Sequence, residues 1–324
     1  MSAKGDVLVY GPVPSRRLGL SLGIDPVPKL TCTFDCVYCQ LGKKRYKVRG
    51  PEEVDEAFPT PERIADSVVR TLEKRKQVDY VTFSGSGEPT LNPSLGEAIE
   101  RIRRATSIPI ALVTNSSLLT RPEVLDAAAA CDLVLPSLDA GDQETFELVN
   151  RPASGFEVEA IARAIGKLAR RAPVWLEVML VHSQAGASNI GESSVGAIID
   201  RIGEIRPDEV NLNTCVRPPE EPVEALSEAK LQEIRERMEE ALPEMKIRVV
   251  AKRTASRSKL PGEGEISRQI LDVLSVRPCT TTDLCDSLGI NPAEVGKYLA
   301  RLADDRRIER LTRGGRLFYT TSKD

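Results

Sequence analysis

Leu20-Ser21-Leu22-Gly23-Ile24-Asp25 is a short apolar run, and the stretch Cys32-Thr33-Phe34-Asp35-Cys36-Val37-Tyr38-Cys39 follows it on a loop. A buried strand feeding a thiol-rich loop puts chemistry at the carboxyl end of a strand, where open α/β sheets and barrels assemble their sites. Further runs of the same character lie at 80–84, 108–114, 133–137, 174–181 and 209–213, each short, apolar and flanked by turn residues. Helical periods fill the intervals. Thr60-Pro61 sets a cap residue before a proline at the first helical position, and Thr120-x-x-Glu123 has capping-box spacing. Leu231, Ile234, Met238 and Leu242 form one stripe of a helix over 227–242. The pattern predicts an α/β fold, with repeated βα units around a parallel sheet or barrel and a helical outer layer.

Composition narrows the function classes. The 324 residues are 41% apolar and 29% charged, with mean hydropathy −0.23, enough to bury a large core and a second small one. No apolar run approaches the roughly 20 residues of a membrane helix, and Met-Ser-Ala-Lys-Gly-Asp opens the chain without a signal-peptide core. A cytoplasmic protein with no membrane partner is expected. The net charge of −3 and pI of about 5.6 exclude whole-molecule capture of phosphate backbones, so any nucleic-acid contact is local. Three of the seven cysteines crowd between residues 32 and 39, a metal site in a reducing compartment rather than a disulfide framework. His182 is the only histidine, which excludes a His-rich zinc site and any mechanism needing two imidazoles.

Three thiolates on one loop suit three irons of a cubane cluster and leave one iron open, whereas a four-cysteine site leaves none. An open coordination position is where a metal site takes a substrate or cofactor. The alternative is a zinc knuckle, whose fourth ligand would come from Cys131, Cys215 or His182, all far along the chain.

The cysteine spacing, with an aromatic residue just before the third thiol, resembles the radical S-adenosylmethionine (SAM) superfamily over about residues 10–250. The resemblance implies a partial (β/α)6 barrel in which Cys32, Cys36 and Cys39 are the catalytic and metal-ligating residues of a 4Fe-4S cluster. SAM chelates the open iron and is cleaved by one electron, supplied by a reductase, to methionine and a 5′-deoxyadenosyl radical that takes hydrogen from a substrate. Tyr38 is implied near the adenine. Ser84-Gly85-Ser86-Gly87-Glu88-Pro89 is similar to the Gly-Gly-Glu segment that receives the SAM amino group, where glycine lets backbone approach a ligand closely. Ser86 stands in place of the first glycine. Thr114, Asn115 and Ser137 are implied to contact the methionyl carboxylate and ribose; on the residues alone, helix caps and Asx turns are an equal reading. Glu177, Met179 and Asn213 are pocket-lining or core residues, and Arg16 and Arg17 are an anion clamp or a solvated pair. Cys215 and His182 follow strands and are either site groups or structural ones. The opening at residues 11–19, Leu135-Pro136-Ser137-Leu138-Asp139-Ala140 and Asn150-Arg151-Pro152 are similar to the wyosine-base-synthase-like subgroup, which acts on tRNA. That subgroup carries extra N-terminal cysteines for a second cluster; residues 1–31 contain none, so its reaction is not carried over.

At 251–264 the chain turns polar and aperiodic, which divides it into a core over 1–250, a linker and a small domain over 265–324. Helices are predicted at 266–275, at 281–288 and from Asn291, the last with Pro292, Glu294 and an inner face of Val295, Leu299 and Leu302. A hairpin over 308–321 turns at Gly314-Gly315. Three helices and a two-stranded wing make a winged helix-turn-helix domain, presenting Lys297 and Arg301 on the third helix and Arg306, Arg307, Arg310, Arg313 and Arg316 around the wing. Residues 265–324 hold ten Lys or Arg against nine Asp or Glu, an excess of only one, so nucleic acid stands slightly ahead of peptide or dimer contacts. The expectation is a radical SAM enzyme acting on an unidentified, macromolecular substrate such as tRNA or a peptide. The alternative is an iron-sulfur redox-sensing DNA-binding regulator, which has no use for strand-end SAM contacts.

Overall fold

Strand β1 (Val9–Ser15) turns back on β2 (Gly19–Ile24), and the short β3 (Thr31–Cys32) pairs with β4 (Tyr46–Lys47). There follow α1 (Pro61–Leu72), β5 (Tyr80–Phe83), α2 (Leu95–Ala105), β6 (Ile110–Thr114), α3 (Pro122–Ala129), β7 (Leu133–Pro136), α4 (Gln143–Val149) and α5 (Val158–Ala169). The chain continues through β8 (Trp175–Leu180), β9 (His182–Ser183), α6 (Glu192–Ile205), β10 (Glu209–Thr214), β11 (Val223–Glu224), α7 (Glu228–Ala241) and β12 (Ile247–Val249). Last come α8 (Glu263–Val276), α9 (Thr281–Leu288), α10 (Pro292–Asp304), β13 (Ile308–Arg313) and β14 (Arg316–Thr321). This computed structural model describes residues 8–41, 44–74, 77–215, 219, 221–250, 263–288, 292–313 and 315–322.

All six predicted strands form, as β2, β5, β6, β7, β8 and β10, with ends displaced by one or two residues. Two neighbours were not foreseen. β12 extends the sheet beside β10, and β1 adds an antiparallel edge beside β2. β1 contains Gly11, Pro12 and Pro14, and its register shifts between Tyr10 and Val13; prolines and a bulge belong on an edge strand, where no second neighbour needs the missing N–H.

The hydrogen-bonded order is β1-β2-β5-β6-β7 and β8-β10-β12, joined by the parallel bridges Val134↔Val174 and Ser137↔Glu177. The sheet curls on itself, because Arg16, just past β1, donates from Nη1 to the Val250 carbonyl, just past β12, at 3.2 Å. Strand alternation sorts the faces. Leu22, Val81, Leu112, Val134, Val178 and Leu212 point outward into one core with Ile64, Ile99, Ile165, Ile198, Ile234 and Met238 of the surrounding helices. Burial of each such side chain stabilises by about 1.5–3 kcal/mol. Leu18, Ala111, Leu133 and Leu135 form a separate inner cluster with Tyr80 and Trp175.

Local signals act mostly as read. Thr60 accepts from the Arg63 N–H at 3.3 Å, and Ser227 accepts from the Lys230 N–H at 3.2 Å. The capping box at Thr120 does not form: Thr120 ends a 3-10 turn (Ser117–Thr120), and α3 starts one residue later behind Arg121 with Pro122 at its first position. Proline's fixed φ overrides the hydroxyl signal.

The three C-terminal helices and the β13–β14 hairpin share a core of Ile266, Ile270, Leu284, Val295, Leu299, Leu302, Ile308 and Tyr319, into which Tyr10 and Val13 of β1 insert. The predicted linker falls, except for its last two residues, outside the described residues, as do Asn291 and Gly314; Gly315 takes φ +69° at the turn. Among the described residues no helix is long and apolar enough to cross a membrane.

Candidate active site

The thiol loop is held from both sides. Val37 N–H donates to Val149 O at 3.0 Å, Asp35 N–H to Asn150 O at 3.2 Å, and Ala153 N–H to Thr33 O at 2.8 Å, which docks the loop on the end of α4. Phe34 anchors it edge-on between Phe146 and Phe156, with centroids 5.2 and 5.9 Å away. On the other side Val48 N–H reaches Cys32 O at 3.0 Å.

Each thiol has its own N–H donor. Asn115 Nδ2 lies 3.5 Å from Cys32 Sγ, Asn150 Nδ2 lies 3.5 Å from Cys36 Sγ, and Lys44 Nζ lies 2.9 Å from Cys39 Sγ. Burial pushes the Cys32 thiol up to about 12 and Cys36 well above its ordinary value, and the neighbouring thiols and, for Cys36, Asp139 add to the rise. Buried thiolates aligned with donors need cationic partners, which iron bonded to each sulfur supplies. Among the described residues no three His, Cys, Asp or Glu side chains converge on a single-ion site. A cluster giving each thiolate its own iron does not require that convergence, so the donor set fits a cubane better than a zinc knuckle.

The turn after β5 lies directly against this loop. Leu30 N–H donates to Ser86 O at 3.1 Å and Glu88 N–H to Thr31 O at 3.0 Å. A Cβ on Gly87 would stand 1.9 Å from Thr31 O, and Gly85 has φ +114°, so both glycines are required by close approach and by backbone sign. Ser86 has a partner that explains its departure from glycine: its hydroxyl donates at 2.6 Å to Asp25 Oδ2. Asp25 is buried, and burial raises its carboxyl to about 6.

Glu88, 2% exposed, ties the turn after β5 to the end of β6. Its Oε1 accepts from Thr90 N and Oγ1 at 3.1 and 2.6 Å and from Thr114 Oγ1 at 2.6 Å, and its Oε2 accepts from Asn115 N at 2.8 Å. Burial raises its pKa, and these donors oppose the rise. Asn115 in turn donates to Thr33 Oγ1 at 2.8 Å and accepts from Ser117 N at 3.0 Å, so its amide serves the thiol loop. Ser137 N–H donates to Thr114 O at 2.9 Å, which sets the Ser137 backbone beside the end of β6.

The Tyr38 hydroxyl donates to Asp139, which also accepts from Asn150 Nδ2 at 2.7 Å and Met179 N at 2.8 Å. Arg17 Nη1 and Asn213 Nδ2 converge on Glu177 Oε2 at 2.5 and 2.6 Å, and burial raises Glu177 to about 7. His182 is exposed on β9 against Ser188 Oγ at 3.2 Å. Cys215 lies at the site's edge, its thiol 3.8 Å from Tyr38 O.

The structure thus brings Cys32, Cys36, Cys39, Tyr38, Gly85, Ser86, Gly87, Glu88, Thr114, Asn115 and Ser137 into one region. Sequence reasoning missed Asp25, Lys44 and the roles of Asn150 and Asp139. A polar residue closing an apolar strand was the one local signal for Asp25; nothing near Lys44 marked it.

Residues 28–185 match the Radical SAM superfamily. A UPF0026 protein of Synechocystis sp. is 34% identical over 213 residues, covering 65% of this chain and 76% of that protein. A protein named GTPase Obg from Brachyspira hyodysenteriae is 30% identical over 320 residues, 97% of this chain; the chain spans only 45% of that relative's length. The solved structure described as native anSMEcpe with bound AdoMet superposes with a TM-score of 0.51 at 17% identity, over 71% of this chain and 63% of that one. The chain belongs to the UPF0026 family and carries a Radical SAM superfamily domain.

Proposed function

We propose that the chain is a cytoplasmic enzyme with a partial (β/α)6 radical SAM barrel over 1–250, joined by a linker over 251–264 to a winged helix over 265–324 that recruits a macromolecular substrate. The observation that carries the radical reading is the juxtaposition of three donor-capped thiols with the Gly85–Glu88 turn, fastened to the strand ends at Thr114 and Asn115 by one buried carboxylate.

Cys32, Cys36 and Cys39 would hold the cluster. The bound cluster and SAM would supply one-electron reductive cleavage of SAM to methionine and a hydrogen-abstracting 5′-deoxyadenosyl radical, the electron coming from a reductase. Asn115, Asn150 and Lys44 orient the sulfurs by N–H donation. Glu88 spends its oxygens on Thr90, Thr114 and Asn115, and so positions the strand ends. Backbone at Gly85 and Gly87 is left to approach the SAM amino end, with Ser137 and the Tyr38 side at the ribose and adenine. Met179 and the Arg17–Glu177–Asn213 group face the interior where a substrate group would be exposed to the radical.

Lys297, Arg301, Arg306, Arg307, Arg310 and Arg316 are exposed on the C-terminal unit. Their arrangement on a third helix and a wing supports nucleic acid, tRNA among the candidates, ahead of a peptide, in keeping with the wyosine-like sequence segments. Anaerobic iron-sulfur reconstitution followed by chromatography for 5′-deoxyadenosine, with SAM and dithionite, tests the radical reading. Production by wild type and its loss in Cys36→Ala are expected; a stable cluster without SAM cleavage refutes it. Changing Lys297, Arg301 and Arg310 together tests the winged helix: unchanged salt-dependent binding of tRNA, DNA and peptide removes it from recognition.

A further inference from the structure

The three sulfurs of the thiol loop are not served alike. Asn115 and Asn150 bring neutral amides to Cys32 and Cys36 at 3.5 Å, whereas Lys44 brings an ammonium to Cys39 at 2.9 Å. The chain holds this lysine in place from several sides. Its backbone N–H donates at 3.2 Å to Oδ1 of Asp35, a residue inside the cysteine loop itself. Arg45 and Tyr46 N–H both donate to Leu30 O, at 3.1 and 3.3 Å, and the β3–β4 ladder sets Tyr46 beside Thr31 and Lys47 beside Cys32. Lys44 is half-buried. Its basic neighbours are directed elsewhere: Arg45 pairs with Glu56 at 2.8 Å and lies over the Tyr46 ring, and Lys47 is exposed.

A cation in that position discriminates between charge states. Lysine is protonated at neutral pH, and its head group is a compact point charge with three donors. One-electron reduction adds a negative charge that thiolate-bound iron shares with its sulfurs, and a charged N–H donor at hydrogen-bond distance favours the more negative state. Partial burial keeps water and salt from screening the pair as they screen an exposed cation. The neutral amides act in the same direction and more weakly, because charge-assisted hydrogen bonds are about twice as strong.

We propose that Lys44 is a positioning residue for electron entry: its ammonium, donated to the Cys39 sulfur, raises the potential at which the thiol-bound cluster is reduced, and so fixes how strong a reductant the enzyme needs. The proposal rests on the reading of Cys32, Cys36 and Cys39 as cluster ligands. In the step concerned, a one-electron donor of the reductase class is oxidised by one electron and the cluster is reduced by one. Lys44 keeps its proton, and no bond of the chain is made or broken.

The test uses the full-length chain, reconstituted anaerobically, at one pH and with SAM left out of every arm. Potentials are set with dithionite and redox mediators, and the reduced cluster is counted by electron paramagnetic resonance beside total iron. Lys44→Met removes charge and donor, Lys44→Gln keeps a neutral donor, Lys44→Arg keeps the charge, and Lys47→Met removes an exposed cation from the adjoining β4. Equal iron content is expected throughout. At a fixed potential Lys44→Met should lower the reduced-to-oxidised ratio about tenfold, a midpoint about 59 mV lower, with Lys44→Gln in between. Lys44→Arg and Lys47→Met should stay within about twofold of wild type. An iron-replete Lys44→Met with the wild-type midpoint overturns the proposal, as does Lys44→Arg falling as far as Lys44→Met. If Lys44→Met loses iron, Lys44→Gln against Lys44→Arg decides, and equal midpoints overturn the proposal. Wild-type protein without a four-iron signal overturns the cluster reading and this proposal together; an intact signal with an unmoved midpoint overturns this proposal alone.

Discussion

Replacing Asp25 by Asn separates stability from cofactor binding. Asp25 is 8% exposed, and burial raises its carboxyl from 3.8 to about 6, against the pull of the Ser86 hydroxyl and the backbone N–H groups of Ser86 and Val27. Because the folded-state pKa is the higher one, the folded chain holds the proton more tightly than the unfolded chain. Stability therefore falls as pH rises from about 4 to about 6 and stays lowered above that window. The rise corresponds to about 3 kcal/mol at neutral pH. In Asp25→Asn the amide oxygen still accepts from Ser86 Oγ, and the charge is gone. Urea denaturation at pH 4 and 7.5 is the assay: the variant should equal wild type in acid, gain up to about 3 kcal/mol at pH 7.5, and lose the slope between. The same substitution removes the charge that holds Ser86, so calorimetric SAM affinity of the reconstituted protein should fall about tenfold. A variant less stable than wild type at pH 7.5, or one with an unchanged pH slope, refutes the burial argument. Unchanged SAM affinity refutes the link from Asp25 to the turn.

Gly87→Ala drives a Cβ to 1.9 Å from the Thr31 carbonyl, so backbone must shift; a loss of about 3 kcal/mol or more in urea titration and weaker SAM binding are expected. Phe34→Ala empties the slot between Phe146 and Phe156 at a cost of about 3–5 kcal/mol, and lower iron content after reconstitution checks that the loop depends on this anchor. Tyr38→Phe leaves Asp139 with its Asn150 and Met179 donors, so a loss of about 1–2 kcal/mol is expected, with iron content unchanged. Glu177→Gln replaces a carboxyl that burial raises from 4.5 to about 7 by a neutral amide; in the same denaturation assay the variant should match wild type near pH 4 and exceed it by up to about 3 kcal/mol at pH 8, because wild-type stability falls as pH rises through that window.

The six central strands, their helical crossovers and the stripe Leu231, Ile234, Met238 were legible because burial on both faces demands continuous apolar runs and helix packing demands a 3.6 period. The three C-terminal helices and the hairpin were legible for the same reason, together with the Gly-Gly turn. Cys32, Cys36 and Cys39 stood out because ligands of one cluster must share a loop. β1 was hidden by its prolines, which are tolerable only because the strand lies at the edge. Thr120 gave a false cap because hydroxyl spacing alone cannot tell that Pro122 will start the helix.

What the sequence by itself determined is the set of elements and the residue types at the strand ends, since periodicity, turns and cysteine spacing are local properties. Tertiary structure alone decided which of those residues serve one another. Glu88 reaches Thr114 and Asn115 across 26 and 27 positions, and Ser86 reaches Asp25 across 61. Asn150 reaches Cys36 across 114, and Arg16 reaches Val250 across 234. Such partners are chosen by the curl of the sheet, which brings distant strand ends to one rim, and by the cost of leaving a buried polar group unpaired.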